Sequence, residues 1–367
     1  MYIHEREGWT SFRWDVDRIG MVVRRLRFLQ GRLHGMIEGT KTDAERIYID
    51  TIEEDVINSS RIESEYLNED HVRSSICRRL GVEYPGKTTP REDGIVEMLL
   101  DATQNCQMPL TKERLHWWHS MLLNYDNGGK ITIGEYRHGN VAVVSGALGK
   151  ERVQYVAPAP ERVEPEMEAL LSWLEESSTD DIIKSAVAHV WFVMVHPFDD
   201  GNGRIARAIS DMFLARSEYC NTRYYSLSTR IYRERRQYYD ILERTGVGGE
   251  DLTEWLEWFL SCAERAVEDR FETMGAVLER TEFWRVNSSI VMNERQSRMV
   301  NMLLDGFQGD LTSSRWAGIN HCSHDTAIND IKYLISKGIL AKCPEGGRST
   351  RYVLITRGPH SPGEAET

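Results

Sequence analysis

The residues best suited to chemistry stand together at His196-Pro197-Phe198-Asp199-Asp200-Gly201-Asn202-Gly203-Arg204-Ile205-Ala206-Arg207. The Gly201-Asn202-Gly203 triplet can turn successive backbone N–H groups inward and form an anion nest at the positive end of a helix. Arg204 and Arg207 would lie at the start of that helix, where a cation is disfavoured unless an anion is bound, so they point to a phosphate. Asp200 offers one hard oxygen ligand of the kind Mg²⁺ uses when it bridges phosphates. His196, with a reference pKa of about 6.5, stands where it could take a proton from an attacking hydroxyl. Alone, a histidine before proline ends a helix and a Gly-Asn-Gly triplet makes a turn. All of these parts in one short loop point to chemistry.

The flanking elements must hold that loop. Ile183, Val187, Val190, Trp191 and Met194 before it, and Ile205, Ile209, Met212 and Phe213 after it, recur at helical spacing. The loop therefore joins two buried helices. Residues 14–82 also read as helices, through Ile19, Val22, Leu26, Leu29 and Leu33, then Ile49, Ile52, Val56 and Ile57, then a helix over 69–80 capped by Asn68. Another helix is expected over 95–105. Ile131 to Arg137 and Val141 to Val144 flank His138-Gly139-Asn140 and read as a β-hairpin. Pro158 and Pro160 make an extended connector, and helices resume at Val163 and run to about Val277, with a boundary at 278–292.

Composition sets the class. The chain has 367 residues, 45 Lys and Arg against 57 Asp and Glu, and a net charge of −12. That balance argues against a chain that coats nucleic acid along its length. The six cysteines have no CxxC pair, which suits free thiols in a cytoplasmic protein rather than a disulfide framework or zinc site. No run of 18 apolar residues appears, so no membrane association is expected. Tyr232, Tyr238, Tyr239, Trp255 and Trp258 read as core aromatics.

Upstream, Ile52, Val56, Ser59 and Glu63 follow in helical steps, so Glu63 continues an apolar face and would need a charged partner if it points inward. The same position also fits a glutamate facing water at a fraying helix end.

The loop matches the Fic family signature HxFx(D/E)GNGRxxR at His196, Phe198, Asp200, Gly201, Asn202, Gly203, Arg204 and Arg207. The surrounding chain, roughly 95–275, resembles the Fic core. Gly134 to Val144 resembles the family's target-clamping flap, with Gly134, Tyr136, Arg137, Val141 and Val143 as its docking residues. The stretch from Trp9 to Trp14 belongs to a layout similar to Fic proteins with an added N-terminal helical region. The resemblance implies a mainly α fold and transfer of AMP from ATP to a hydroxyl of an unknown target protein, or of the chain itself. His196 would be the base, Asp200 the Mg²⁺ ligand, and Gly201, Asn202, Gly203, Arg204 and Arg207 the nucleotide-binding residues. The family's inhibitory motif, (S/T)xxxE(G/N), matches Ser59 and Glu63 and departs at Ser64; it implies that Glu63 pairs with Arg207 and blocks the γ-phosphate. The same loop also suits another nucleotide, AMP removal, or nucleotide sensing by a regulator.

The expected division is 1–94 for an N-terminal helical region, 95–285 for the catalytic core, 293–357 for a winged helix-turn-helix, and 358–367 for a disordered tail. Residues 293–357 hold three helical runs and a terminal hairpin whose turn falls at 344–347. This part is basic, with Arg348 and Arg351 on the wing, but Asp325 and Asp330 on the third helix suit DNA poorly. Its partner is expected to be DNA or a protein, and the assembly a homodimer.

Overall fold

Helical periodicity is realised along most of the chain. The computed structural model describes residues 1–38, 44–124, 131–145, 152–220, 222–307, 309–343 and 350–355. Lys130, the turn at 344–347, Arg348, Arg357 and the 358–367 tail lie outside the described residues. The chain divides into two compact units, Met1–Arg270 and Phe271–Thr367. Among the described residues, no helix is long and apolar enough to cross a membrane.

The first unit opens with α1 (Val16–Glu38), α2 (Ala44–Ile62) and α3 (Glu69–Leu80). As expected, the Asn68 side chain caps α3 by accepting from the His71 N–H. α4 (Pro90–Gln104) starts earlier than its periodicity suggested, with Pro90 in its first turn, where a missing N–H costs nothing. α5 (Lys112–Leu122) was not foreseen; Thr111 caps it, and it turns Leu115, Trp118 and Leu122 inward. After the strands come α6 (Pro160–Glu176), α7 (Asp181–Val195), α8 (Asn202–Ser217), α9 (Leu227–Arg233), α10 (Arg235–Val247) and α11 (Thr253–Val286). α11 continues through residues the sequence assigned to a boundary. α7 is buried on nearly every side and packs along α8 at the centre of the unit. A helix apolar all round is stable only in such a position.

The hairpin is displaced from its expected place. β1 (Ala142–Ser145) pairs antiparallel with β2 (Arg152–Val156), Val143 opposite Tyr155, while residues 131–137 form no strand. The chain turns at Gly134 (φ 76), Tyr136 is buried, and Arg137 is drawn inside by carbonyl oxygens. Of the expected docking residues, only Val143 lies in a strand. Val141 stands just before β1, its carbonyl accepting from the Ala157 N–H. Residues 131–137 are an irregular segment in which Ile133 is exposed and only Tyr136 and Arg137 are buried, so the alternation does not mark a buried strand face. β2 is fixed to the protein by Tyr155, whose hydroxyl donates to Met194 O (2.8 Å) and lies 2.8 Å from His4 Nδ1.

The second unit holds the end of α11, then α12 (Glu294–Leu304), α13 (Ser313–Asn320), α14 (His324–Ser336) and the antiparallel pair β3 (Leu340–Lys342) and β4 (Tyr352–Leu354). Met299, Val300, Trp316, Ala327, Ile331 and Leu334 form its core. Asp330 is not on an outer face: it is buried and accepts from Asn293, Arg295 and Gln296, tying α14 to the start of α12. Arg351 lies 3.4 Å from Asp310.

Candidate active site

The loop between α7 and α8 is closed by its own asparagine. The Asn202 carboxamide donates to Phe198 O (2.8 Å) and accepts from the Phe198 N–H (3.0 Å), so it is spent inside the loop. Gly201 makes the left-handed turn into α8 (φ 80). Past it, the first-turn N–H groups of Asn202, Gly203 and Arg204 have no intrahelical acceptors and form the positive end of α8. Phe198 is buried and stacks on His119, with ring centroids 4.1 Å apart. His119 accepts from the Gly134 N–H at Nδ1 (2.9 Å), so its Nε2–H donates to Asp200 O (3.2 Å). It joins the 134 turn to the loop as a neutral ring, its pKa lowered by burial to about 4.

His196 ends α7 in a left-handed conformation (φ 51). Its Nδ1 lies 3.3 Å from Val193 O, an arrangement that places the ring proton on Nδ1 and leaves Nε2 as the free base. Burial lowers its pKa to about 4, so the ring is neutral at physiological pH. Arg137 fixes its backbone. The guanidinium donates to His196 O (2.7 Å), Val195 O (3.3 Å), Pro158 O (2.7 Å) and Gly139 O (2.8 Å). A cation at the C-terminus of α7 also meets the negative end of the helix dipole. Arg137 is thus a positioning residue for His196 rather than an exposed docking residue.

Both signature arginines are buried. Arg204 meets Glu65 Oε2 at 2.7 Å and Asp200 Oδ1 at 3.6 Å; Arg207 meets Glu63 Oε1 at 2.9 Å and the Ser59 hydroxyl and carbonyl oxygens at 2.8 and 2.9 Å. Glu63 therefore points inward, as its spacing allowed. Its carboxylate covers the start of α8 so closely that a Cβ at Gly203 would overlap Oε1 and push the carboxylate aside. An anion already occupies the positive helix end and one arginine. Arg204 Nε and Arg207 Nη1 remain buried without a partner, two donors available to a further anion. Asp200 is exposed and takes the Gly201 N–H on one oxygen (2.6 Å). Among the described residues, no group of three or more His, Cys, Asp or Glu is arranged to hold a metal. A single open carboxylate fits Mg²⁺ that arrives on phosphates and keeps water ligands.

α2 is held against α8 from behind. Arg223 lies between Asp55 of α2 (2.8 Å) and Asp211 of α8 (2.6 Å), all three buried. At the other end, Ser64 adopts φ 63, a left-handed conformation that costs an L-residue about 1 kcal/mol and glycine little. This explains physically why glycine or asparagine suits the position after such a glutamate. Ser64→Gly is expected to raise the denaturant midpoint; a fall would show that the exposed Arg235–Ser64 hydrogen bond (3.0 Å) outweighs the strain.

The fold thus brings Ser59, Glu63, His196, Asp200, Gly201, Gly203, Arg204 and Arg207 to one place. The sequence reading missed His119 and Glu65. Glu65 could have been suspected from its place two residues after Glu63, whereas nothing local marks His119. Tyr238 and Trp255 are core residues, while Tyr239 donates to Ile62 O (3.3 Å) beside Glu63.

Comparison with known proteins agrees with this geometry. Residues 109–214 match the Fic/DOC family, and residues 2–82 match a domain of unknown function, DUF4172. The chain is 30% identical over 117 residues to "Protein adenylyltransferase Fic" of Nematostella vectensis, covering 31% of this chain and 26% of that protein. It is 32% identical over 152 residues to "Protein adenylyltransferase fic-1" of Caenorhabditis briggsae, covering 38% and 27%. The chain thus spans about a quarter of the length of these relatives. In fold it resembles the crystal structure of a Fic family protein from Desulfovibrio desulfuricans G20, with a TM-score of 0.54 at 21% identity over 94% of this chain and 97% of that one. The loop, α7 and all but the end of α8 fall within residues 109–214: this part of the chain is a Fic/DOC family domain.

Proposed function

We propose that the chain is a protein adenylyltransferase that moves AMP from ATP to a hydroxyl side chain of a target protein, and that Glu63 restrains it. The observation that carries this reading is the neutral His196 ring beside a helix N-terminus and two buried arginines with unpartnered N–H groups. The target hydroxyl oxygen attacks the α-phosphorus, its proton passes to His196 Nε2, and pyrophosphate leaves. The N–H groups of residues 202–204 and Arg204 bind the α- and β-phosphates, and Arg207 takes the γ-phosphate once Glu63 withdraws. Asp200 would hold Mg²⁺, which neutralises phosphate charge. The target backbone lies along β1, whose strand geometry suits an added strand. Residues 293–357 would recruit a partner, DNA or protein. The relatives' printed names, and the intact set of His196, Asp200, Arg204 and Arg207, support transfer over sensing.

Purified protein incubated with α-labelled ATP and Mg²⁺ tests the reading. Label should be retained on protein, and His196→Ala should reduce it by about 10²–10⁴-fold. Because burial holds His196 near pH 4, the rate should stay level between pH 8 and 6, with its acid limb below 5. No label under any condition, with ATP still bound, would overturn the proposal. A limb centred near 6.5 would show that His196 is solvated when it acts.

A further inference from the structure

A second group of reactive side chains lies outside the signature loop, where the chain leaves α8. Glu218 ends that helix, Tyr219 is exposed at the turn, and Cys220 follows, half-buried. His34 of α1 reaches across to them, its Nε2 2.5 Å from Glu218 Oε2 and 3.9 Å from Cys220 Sγ. Thr222 wraps the sulfur: its N–H donates to Sγ (3.3 Å), its hydroxyl lies 3.2 Å away, and its carbonyl accepts from the thiol (2.7 Å). Glu218 is itself fixed by Gln30 and the Tyr225 hydroxyl, at 3.1 and 2.8 Å.

From this cluster we infer that Cys220 is a modification site, a nucleophilic thiolate whose reaction partner is a small hydroperoxide. Hydrogen bonds to Cys220 and Glu218 push His34 up to about 10, so an imidazolium faces the sulfur at neutral pH. Burial and the Thr222 carbonyl, which accepts from the neutral thiol, oppose ionisation, but the His34 ring and the Thr222 N–H and hydroxyl favour the thiolate, and the balance holds Cys220 below the ordinary thiol range. Tyr48, Tyr224, which is edge-on to His34, and Cys106, 3.9 Å from the Cys220 carbonyl, are further titratable neighbours. Burial raises the Cys77, Cys106 and Cys262 thiols. Cys220 thus stands apart within its own chain.

In the reaction, the Cys220 sulfur attacks one peroxide oxygen. An S–O bond forms as the O–O bond breaks. The departing hydroxide takes a proton from the His34 imidazolium and leaves as water, and the product is a sulfenic acid. The cysteine is oxidised and the peroxide reduced.

The full chain, treated with hydrogen peroxide at pH 7 and then with a sulfenate-trapping dione, should carry the tag at Cys220 when its peptides are read by mass spectrometry. Iodoacetamide gives the rate: Cys220 should react about 10-fold faster than Cys322, a thiol of comparable exposure. Its pH midpoint should fall below the ordinary thiol value. His34→Gln should bring Cys220 down to the Cys322 rate with unchanged helical content. The proposal is overturned if Cys220 in the unmodified sequence reacts no faster than Cys322, or if His34→Gln leaves its rate unchanged. The wild-type measurement stands even if the variant fails to fold, and none of these readouts depends on nucleotide transfer.

Discussion

Arg137→Ala is expected to lose both stability and turnover. Four backbone carbonyls, those of Gly139, Pro158, Val195 and His196, share this one buried guanidinium. Each buried acceptor left without a donor costs about 1–3 kcal/mol, so a loss of about 3–5 kcal/mol is expected on denaturant unfolding. Under the proposed reaction, turnover should fall by about 10²-fold or more, because His196, the proposed base, holds its left-handed backbone through that contact and small misplacements of such a group are costly. Arg137→Lys separates the two effects. A single ammonium cannot fork across four carbonyls, so this variant should fold yet turn over slowly, with the KM for ATP little changed. After burial, the Arg137 charge also helps hold the His196 pKa down, so its removal should move the acid limb of the rate to higher pH. Full activity and stability in Arg137→Ala would show that the carbonyls find other partners and that Arg137 does not position the base.

Glu63→Gly should act in the opposite direction. The Glu63 carboxylate sits over the start of α8 and holds Arg207, the ground that the γ-phosphate needs under the proposed reaction. A competing contact of this kind carries a coupling of about 1–3 kcal/mol, so label transfer should rise by about 5–150-fold. The gain should come with a loss. Arg207 is buried and already has one N–H without a partner, so removing its counter-charge should lower the unfolding temperature of the free protein. ATP should restore more of that temperature in Glu63→Gly than in wild type, since the triphosphate replaces the lost anion. Unchanged transfer in a folded Glu63→Gly protein would remove the restraint from the mechanism and leave Glu63 as a structural partner of Arg207.

The sequence by itself determined the signature motif and most helices. His196 to Arg207 is a contiguous stretch, and its glycines, arginines and flanking apolar positions carry their meaning within a few residues of one another. The period of α2 allowed Glu63 to face the interior or water at the helix end, and Asn68 marked the start of α3 through a cap that acts within one turn. What the tertiary structure decided is everything that depends on distant segments. Arg137 looked like a strand residue because alternation is a local signal, yet the carbonyls of Pro158, Val195 and His196 from distant segments, with that of nearby Gly139, draw it inside. Asp330 looked like a surface charge on α14 until Arg295 and Gln296 supplied its partners. His119 carries no local mark, and Glu65 is marked only by its place near Glu63, because their roles exist only where α5 and the chain after α2 meet the loop. Cys220 and His34 lie far apart in the chain, and only packing makes them neighbours. Periodicity and motif spacing report the neighbours within a turn or two, whereas the partner of a buried polar group is set by whichever backbone or charge the fold brings beside it.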